Sequence, residues 1–191
     1  MAVLLCACDA RAPAWRSYEE VFTQTTPVVP AAPAAHPEPR AAPHRAAIQW
    51  TAPAGWRDAG PAGMRLATFS LGNAPQTGLC TIIRMGAAAG DLEANTRRWM
   101  QQVRLADPEP ARLSAFLAQQ ATLQTEGGWP ATVVDLTTWP AENTETESMI
   151  AGLVSPGDQT LFLKLTGPRP LLDAERTAFR ALVQSLRPGG E

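Results

Sequence analysis

The stretch Gly90–Val103, GDLEANTRRWMQQV, predicts the helix from which the rest of the fold can be worked out. Its side chains repeat at helical spacing, which places four of them on one stripe: Leu92, Asn95, Trp99 and Val103. Asp91 stands just before the stripe and is the residue type that caps helix N-termini. We therefore expect a helix that begins after Asp91 and carries one amide on an otherwise apolar face.

Asn95 is that amide, and its position allows two interpretations. A buried amide without a hydrogen-bond partner costs about 1 to 3 kcal/mol, so Asn95 needs partners. The favoured interpretation is that it binds a neighbouring strand or loop and fixes how the helix docks. The alternative is a ligand contact.

The C-terminal part of the chain predicts a hairpin followed by a helix. Pro156-Gly157-Asp158 forms the turn between the apolar runs MIAGLV and TLFLKL. A final helix is expected with Asp173 as its N-cap, and one stripe holds Phe179, Leu182, Val183 and Leu186.

Before and between these elements the pattern predicts strands at 64–71, 79–85, 121–125, 131–138, 148–155 and 159–166, and a short helix at 111–120. Cys80 lies in the second of these strands, where a small core residue is the favoured interpretation over a reactive thiol. The order of elements predicts an α+β domain, with helices covering a mainly antiparallel sheet.

Composition limits the class of protein. The 191 residues have a net charge of −2, so the chain lacks the basic surface that nucleic-acid binding requires. The three cysteines and two histidines show no metal-site spacing, and we expect neither a metal nor a cofactor.

The N-terminus, MAVLLCACDA, resembles the end of a bacterial lipoprotein signal, with Cys8 as the lipidated residue. Cys6 departs from the small residue usual at its position. The apolar segment is short and lacks a cationic start, so we infer that the true signal begins upstream. We assign residues 1–10 to this signal remnant. A cytoplasmic protein with a short apolar N-terminus is the alternative.

Residues 11–47 are rich in proline and alanine and are expected to form an extended, disordered tether. Both histidines, His36 and His44, lie in it. The tether leaves residues 48–188 as a single domain, which is enough chain to bury its own core.

Catalytic motifs are absent from the sequence: it contains no G-x-S-x-G, H-E-x-x-H, P-loop or G-x-G-x-x-G pattern. With no histidine in the domain, nucleophile systems that use histidine are excluded there. Asp135 and Lys164 are expected to meet across the sheet, as a structural ion pair in the favoured interpretation and as a functional pair in the alternative. Lys164→Met is expected to destabilise the fold. Asp135 or Glu126 would serve a rival function, a histidine-free hydrolase or lyase.

Five motifs together resemble a set of bacterial envelope lipoproteins related to the PsbP-like fold, which an extrinsic photosystem subunit shares with a Ran-binding import factor. The motifs are W-x-x-P-x-G-W (50–56), M-R-x-A-x-F (64–69), G-D-L-x-x-N-x-x-R-W (90–99), F-x-K-L-x-G-P (162–168) and F-x-x-x-x-x-S (179–185). The resemblance covers residues 48–187 and implies a PsbP-like α/β/α sandwich. It includes no catalytic signature.

The resemblance implies a binding or assembly module, because members of this fold mostly act in that way. We therefore expect a lipid-anchored, non-enzymatic domain at the bacterial membrane or in the periplasm, with a cytosolic adaptor as an alternative. Its partner would be an envelope protein or a small apolar ligand. The candidate binding surface comprises Arg65, Asn95, Arg98, Trp99, Gln102, Lys164 and Gly167.

Overall fold

The computed structural model describes residues 48–140 and 147–190. Within these ranges the chain forms, in order, β1 (Ile48–Gln49), β2 (Arg57–Asp58), β3 (Arg65–Asn73), β4 (Gln76–Gly86), α1 (Leu92–Gln102), α2 (Pro110–Leu117), β5 (Ala121–Gln124), β6 (Pro130–Asp135), β7 (Glu147–Val154), β8 (Gln159–Pro168), α3 (Arg169–Gln184) and β9 (Arg187–Pro188). The α+β class predicted from the sequence is confirmed.

Seven strands form one antiparallel sheet in the order β2-β3-β4-β8-β7-β6-β5. Strands β1 and β9 pair separately, with Ile48 opposite Pro188. The β7–β8 hairpin turns at residues 155–158, as the Pro-Gly-Asp signal predicted. None of the described helices has the length and hydropathy needed to cross a membrane.

Helix α3 packs on one face of the sheet, which we call the α3 face. Three residues of its predicted stripe, Phe179, Leu182 and Val183, are buried against side chains of the central strands. The fourth, Leu186, is also buried but lies beyond the end of the helix at Gln184. Gly152 on β7 permits this close packing, because a Cβ there would lie 3.1 Å from Val183 Cγ2. Cys80 is fully buried on this face, where burial raises the pKa of its thiol. It is a core residue, as predicted.

Helices α1 and α2 pack on the opposite face, which we call the α1 face. Their core contains Trp99, Met100, Leu113, Val134, Leu136, Trp139, Met149, Ala151, Leu153 and Phe162. Trp99 meets Phe162 edge to face, with ring centroids 6.1 Å apart. The domain therefore has three layers, with helices on both sides of the sheet.

The two tryptophans at the start of the domain, Trp50 and Trp56, pack at the edge of the α3-face core. Trp56 is buried, with its ring 6.0 Å from that of Phe69, and its Nε1 donates to Glu175 Oε2 at 2.9 Å. Trp50 is partly buried against the same cluster. Trp56 thus joins the segment before β2 to α3.

Four predicted boundaries are wrong by three residues or more. Strand β4 begins at Gln76 and not at 79, and helix α2 ends at Leu117 and not at 120. Helix α3 begins at Arg169, not after Asp173, because Pro170 stands in the first turn, where its missing N–H is not needed. Strand β6 ends at Asp135 and not at Thr138, because the Asp135 carboxylate accepts a hydrogen bond from Thr137 N at 3.0 Å and turns the chain into a 3₁₀ segment.

Candidate functional site

One part of the α1 face, formed by β2, β3, β4 and β8, is left largely uncovered by the described helices. Strand register defines its side chains, and we call this surface the open face: Arg57, Arg65, Thr68, Ser70, Leu79, Thr81, Ile83, Lys164 and Thr166. The exposed fraction of Leu79 is 39 %, a large value for an apolar side chain on a central strand.

The side chains of the open face lie in rows across the strands. One row contains Thr68, Thr81 and Lys164, and a second contains Ser70, Leu79 and Thr166. Arg65 lies opposite Ile83, one row from Lys164. Residues directly opposite one another on antiparallel strands have Cβ atoms about 5 Å apart, so each row forms a continuous set of neighbours.

Arg65 and Lys164 are two cations from the predicted surface that the structure brings together. Burial lowers the pKa of Lys164, and the positive charge of Arg65 lowers it further. Within residues 48–140 and 147–190, no carboxylate forms an ion pair with either of them. Among the described residues, the pair thus places positive charge without a paired carboxylate on a partly apolar surface.

Hydroxyl groups lie beside these cations. Thr81 is buried between Thr68 and Lys164 in their shared row. The Oγ1 atom of Thr68 is also buried and has no hydrogen-bond partner among the described residues. Thr166 Oγ1 donates to the Leu79 carbonyl at 3.3 Å. The open face therefore offers polar groups as well as charge.

Helix α1 forms the border of the open face. Arg97, on its side nearer α2, donates to Asp107 and to the Pro108 carbonyl. At 100° per residue, Arg98 and Gln102 lie on the other side of the helix, toward β8 and β4. Both are exposed.

Asn95 is 4 % exposed and lies at the base of that border. Its Nδ2 donates to the Ala89 and Asp91 carbonyls, each at 2.6 Å, and its Oδ1 accepts from Arg98 Nη1 at 2.9 Å. Asp91 caps the helix by accepting from Ala94 N at 2.7 Å, as predicted. Asn95 therefore binds the loop that precedes the helix, as the favoured interpretation expected.

Two residues of the predicted binding surface, Trp99 and Gly167, are buried in the interior of the domain. Trp99 is 3 % exposed and packs on Phe162. Gly167 is buried on the α3 face, where a Cβ would lie 3.1 Å from the Gly78 Cα and 3.2 Å from the Thr77 carbonyl oxygen. The structure therefore places Gly167 on the side of the sheet opposite Lys164.

The expected contact between Asp135 and Lys164 is wrong. Both strands flank β7, but Asp135 pairs with Ile150 whereas Lys164 pairs with Ala151, so their side chains leave opposite faces of the sheet. Asp135 instead accepts from Arg176 Nε at 2.6 Å. Hydrogen bonding to Asp135 is the main reason that the pKa of Arg176 is raised.

The carboxylates considered for catalysis are both engaged in ion pairs. Asp135 binds Arg176, which also binds Asp173 at 2.6 Å. Glu126 is exposed and binds Arg187 at 3.1 Å. A cavity of about 240 Å³ lies beside Arg187, but its lining of Ile48, Gln49, Trp50 and Arg187 contains no carboxylate. In the described part of the chain, no cluster of three or more metal-ligating side chains occurs.

Arg57, Thr68 and Thr81 were not among the residues predicted for the binding surface. The alternation in residues 64–71 already separated Thr68 from Phe69, so part of the signal was present. What was missing was the pairing of β3 with β4 and of β4 with β8, which brings these residues beside Lys164. The predicted lipidation site Cys8 and the predicted tether at residues 11–47 lie outside the described residues.

Comparisons with known proteins give structural matches alone. No family model matches the chain. No curated protein matches it either. A crystal structure from Bacteroides thetaiotaomicron is similar at 11 % identity and a TM-score of 0.40, covering 75 % of this chain and 46 % of that one. This chain thus spans less than half the length of the Bacteroides protein.

The solution structure of the cyanobacterial PsbP protein CyanoP, from Synechocystis, is similar at 13 % identity and a TM-score of 0.43. The match covers 75 % of this chain and 94 % of CyanoP. CyanoP is a PsbP protein, and the motifs of this chain resemble those of the related PsbP-like fold. At TM-scores below 0.5, neither match carries information about what the chain binds.

Proposed function

We propose that this chain is a lipid-anchored, non-enzymatic binding or assembly module of the bacterial cell envelope, and that it presents the open face to another envelope component. The observation that carries the proposal is the arrangement of that face. Arg65 and Lys164 stand beside one another, and no described carboxylate forms an ion pair with either. Such a surface is completed by a partner that supplies acceptors and negative charge.

Between the two kinds of partner expected from the sequence, the open face favours a protein over a small apolar ligand. Small-molecule sites are usually concave and mostly apolar. The open face instead spreads over four strands and alternates hydroxyl groups and cations with Leu79 and Ile83. This mixture is typical of the polar rim and partly apolar centre of a protein interface.

A binding role is favoured over the rival histidine-free enzyme by the state of its carboxylates. A general acid or base transfers a proton to or from the substrate, so its carboxyl group must be free to do so and must lie where the substrate binds. Asp135 and Glu126 are held by Arg176 and Arg187. Neither lines the described cavity.

The lipid anchor follows from the sequence around Cys8 and is tested on the natural gene product. Cells expressing the wild-type gene from its own locus are labelled with a radioactive fatty acid, and their membranes are then separated from the cytosol. We expect label on the protein and recovery with the membranes, and both should be lost in Cys8→Ser. Cys6→Ser is the matched control and should keep both. An unlabelled wild-type protein in the cytosol would favour the cytosolic adaptor instead.

A further inference from the structure

The charged side chains of the open face all have the same sign. Arg57 on β2 lies opposite Ser70, Arg65 on β3 opposite Ile83, and Lys164 on β8 opposite Thr81. Strand alternation therefore directs all three cations to one side of the sheet.

The nearest acidic residues of the described strands do not neutralise these cations. Asp58 follows Arg57, so its side chain leaves the other face of β2, where it accepts from Gly60 N at 2.7 Å. Glu147 lies on the same side as Lys164, but it pairs with Pro168, four residues along β8 and about 13 Å away.

The positive charges of the open face lie in surroundings that raise their free energy. Lys164 is partly buried beside Arg65, and both its burial and the neighbouring charge lower its pKa. Arg57 donates to the Gly72 carbonyl at 3.1 Å, a contact that leaves its charge unneutralised. Carboxylates placed over these residues would gain charge-assisted hydrogen bonds and relieve the repulsion between like charges.

The distance between the cations indicates how large an anionic ligand must be to contact all of them. From β2 to β8 the sheet advances by three strand spacings, about 14 Å, which is wider than a single carboxylate or phosphate group. A ligand that meets all three cations therefore carries several negative charges at separate points along its length.

Helix α1, at the border of the open face, hinders contact between that face and a flat partner such as a lipid bilayer. Helix α1 packs on the same side of the sheet, and a helix with its side chains is about 10 Å across. The open face thus lies in a recess beside α1, so that a planar bilayer would contact the helix before it reached Arg65 or Lys164. A polypeptide segment can enter such a recess.

We infer that the open face binds an acidic segment of a protein partner, whose carboxylates pair with Arg57, Arg65 and Lys164 while its remaining groups meet Ser70 and the exposed Leu79 side chain. This inference rests on the proposed function, since it names the chemistry of the partner for the same surface.

Fluorescence anisotropy with the full chain tests the inference. The probe is a fluorescein-labelled dodecapeptide in which glutamate alternates with serine and valine, and its control carries glutamine in place of every glutamate. We expect the wild-type protein to bind the glutamate peptide at least tenfold more tightly than the glutamine peptide. The double variant Arg65→Gln/Lys164→Met should lose about tenfold in affinity for the glutamate peptide.

A matched variant controls for net charge. Arg112→Gln/Arg187→Gln also removes two positive charges, but Arg112 lies over Trp139 and Arg187 binds Glu126, both outside the open face. Its affinity should stay within twofold of wild type. Circular dichroism and thermal unfolding of both double variants establish that they fold.

Several results would overturn the inference. These are equal affinity for the two peptides, no binding of the glutamate peptide, or equal losses in the two double variants. Vesicles of phosphatidylglycerol that bind with the same dependence on Arg65 and Lys164 would assign the face to anionic lipid. Sedimentation showing dimers that the Arg65→Gln/Lys164→Met variant abolishes would assign it to a second copy of the chain.

The outcome is independent of the anchor experiment. Loss of the Cys8 assignment would change where the protein resides, while the peptide affinities would stand. Conversely, failure of the peptide test would leave the lipidation of Cys8 intact.

Discussion

Lys164 is the single lysine of a chain that otherwise uses arginine, and its environment is set by neighbours that the sequence does not place beside it. A partly buried ammonium next to Arg65 has no described carboxylate to compensate for its lost hydration. At the residue scale, Lys164 therefore costs stability in the free protein, and we propose that it contributes to binding.

This reverses the effect expected for Lys164→Met from the sequence. Because no ion pair with Asp135 is lost, we expect the variant to be as stable as wild type or more stable at pH 7. Urea denaturation followed by circular dichroism measures the free energy of unfolding of both proteins, with Lys164→Arg as the control that keeps the charge. A clear loss of stability in Lys164→Met alone would contradict the assigned environment.

The pH dependence has a defined sign. The pKa of Lys164 is lowered on folding from its ordinary value of 10.5, so folding disfavours its protonated form. The resulting penalty is fully present below the folded pKa and disappears as the pH rises through that value toward 10.5. Any stability advantage of Lys164→Met should therefore shrink when the same titrations are repeated at about pH 10.

At the scale of elements, most helices and strands could be predicted from the spacing of apolar residues and from capping and turn residues. The helix after Asp91, the hairpin at residues 155–158 and the stripe of α3 all follow from local patterns, and local hydrogen bonds or packing hold them. The start of α3 was missed because Pro168 and Pro170 look like breaks, although proline is tolerated in a first helical turn.

The candidate site was less predictable, for a reason that lies in strand register. A pattern of alternation places Lys164 relative to β8 alone. Its neighbours Thr81 and Ala151 come from strands distant in sequence, and a shift of one residue would exchange the two faces. Asp135 was predicted to meet Lys164, but the two residues pair with adjacent residues of β7 and so face opposite sides of the sheet. Arg65 was predicted as a surface residue from a motif, and it does lie beside Lys164.

The docking of α1 supplies a test at this scale. Trp99 is buried against Phe162, so Trp99→Ala should lower the free energy of unfolding by about 3 to 5 kcal/mol. Gln102→Ala, an exposed position on the same helix, should change it by less than about 0.5 kcal/mol. Thermal and urea denaturation give both values. A small cost for Trp99→Ala, with partner binding abolished, would make Trp99 a recognition residue instead.

At the scale of the whole molecule, the two faces of the sheet differ in how they are covered. Helix α3 packs against the α3-face core, and the described helices of the other face pack over β6, β7 and β8. Leu79 and Met85 on β4 consequently stay more than a third exposed. Large apolar side chains beside cations that no described carboxylate pairs with suit the proposal that a partner covers this surface.

Site-specific photocrosslinking in cells tests the central claim, partner binding at the open face, most directly. A photoreactive phenylalanine analogue replaces Thr68 in the natural gene, and for comparison it replaces Thr122, an exposed residue of β5. After irradiation, mass spectrometry identifies adducts and the crosslinked peptide. We expect one dominant envelope protein at Thr68, joined through an acidic segment, lost with Arg65→Gln/Lys164→Met and absent at Thr122. Adducts that are the same at both positions, or no adduct at Thr68, would overturn the proposed binding at the open face.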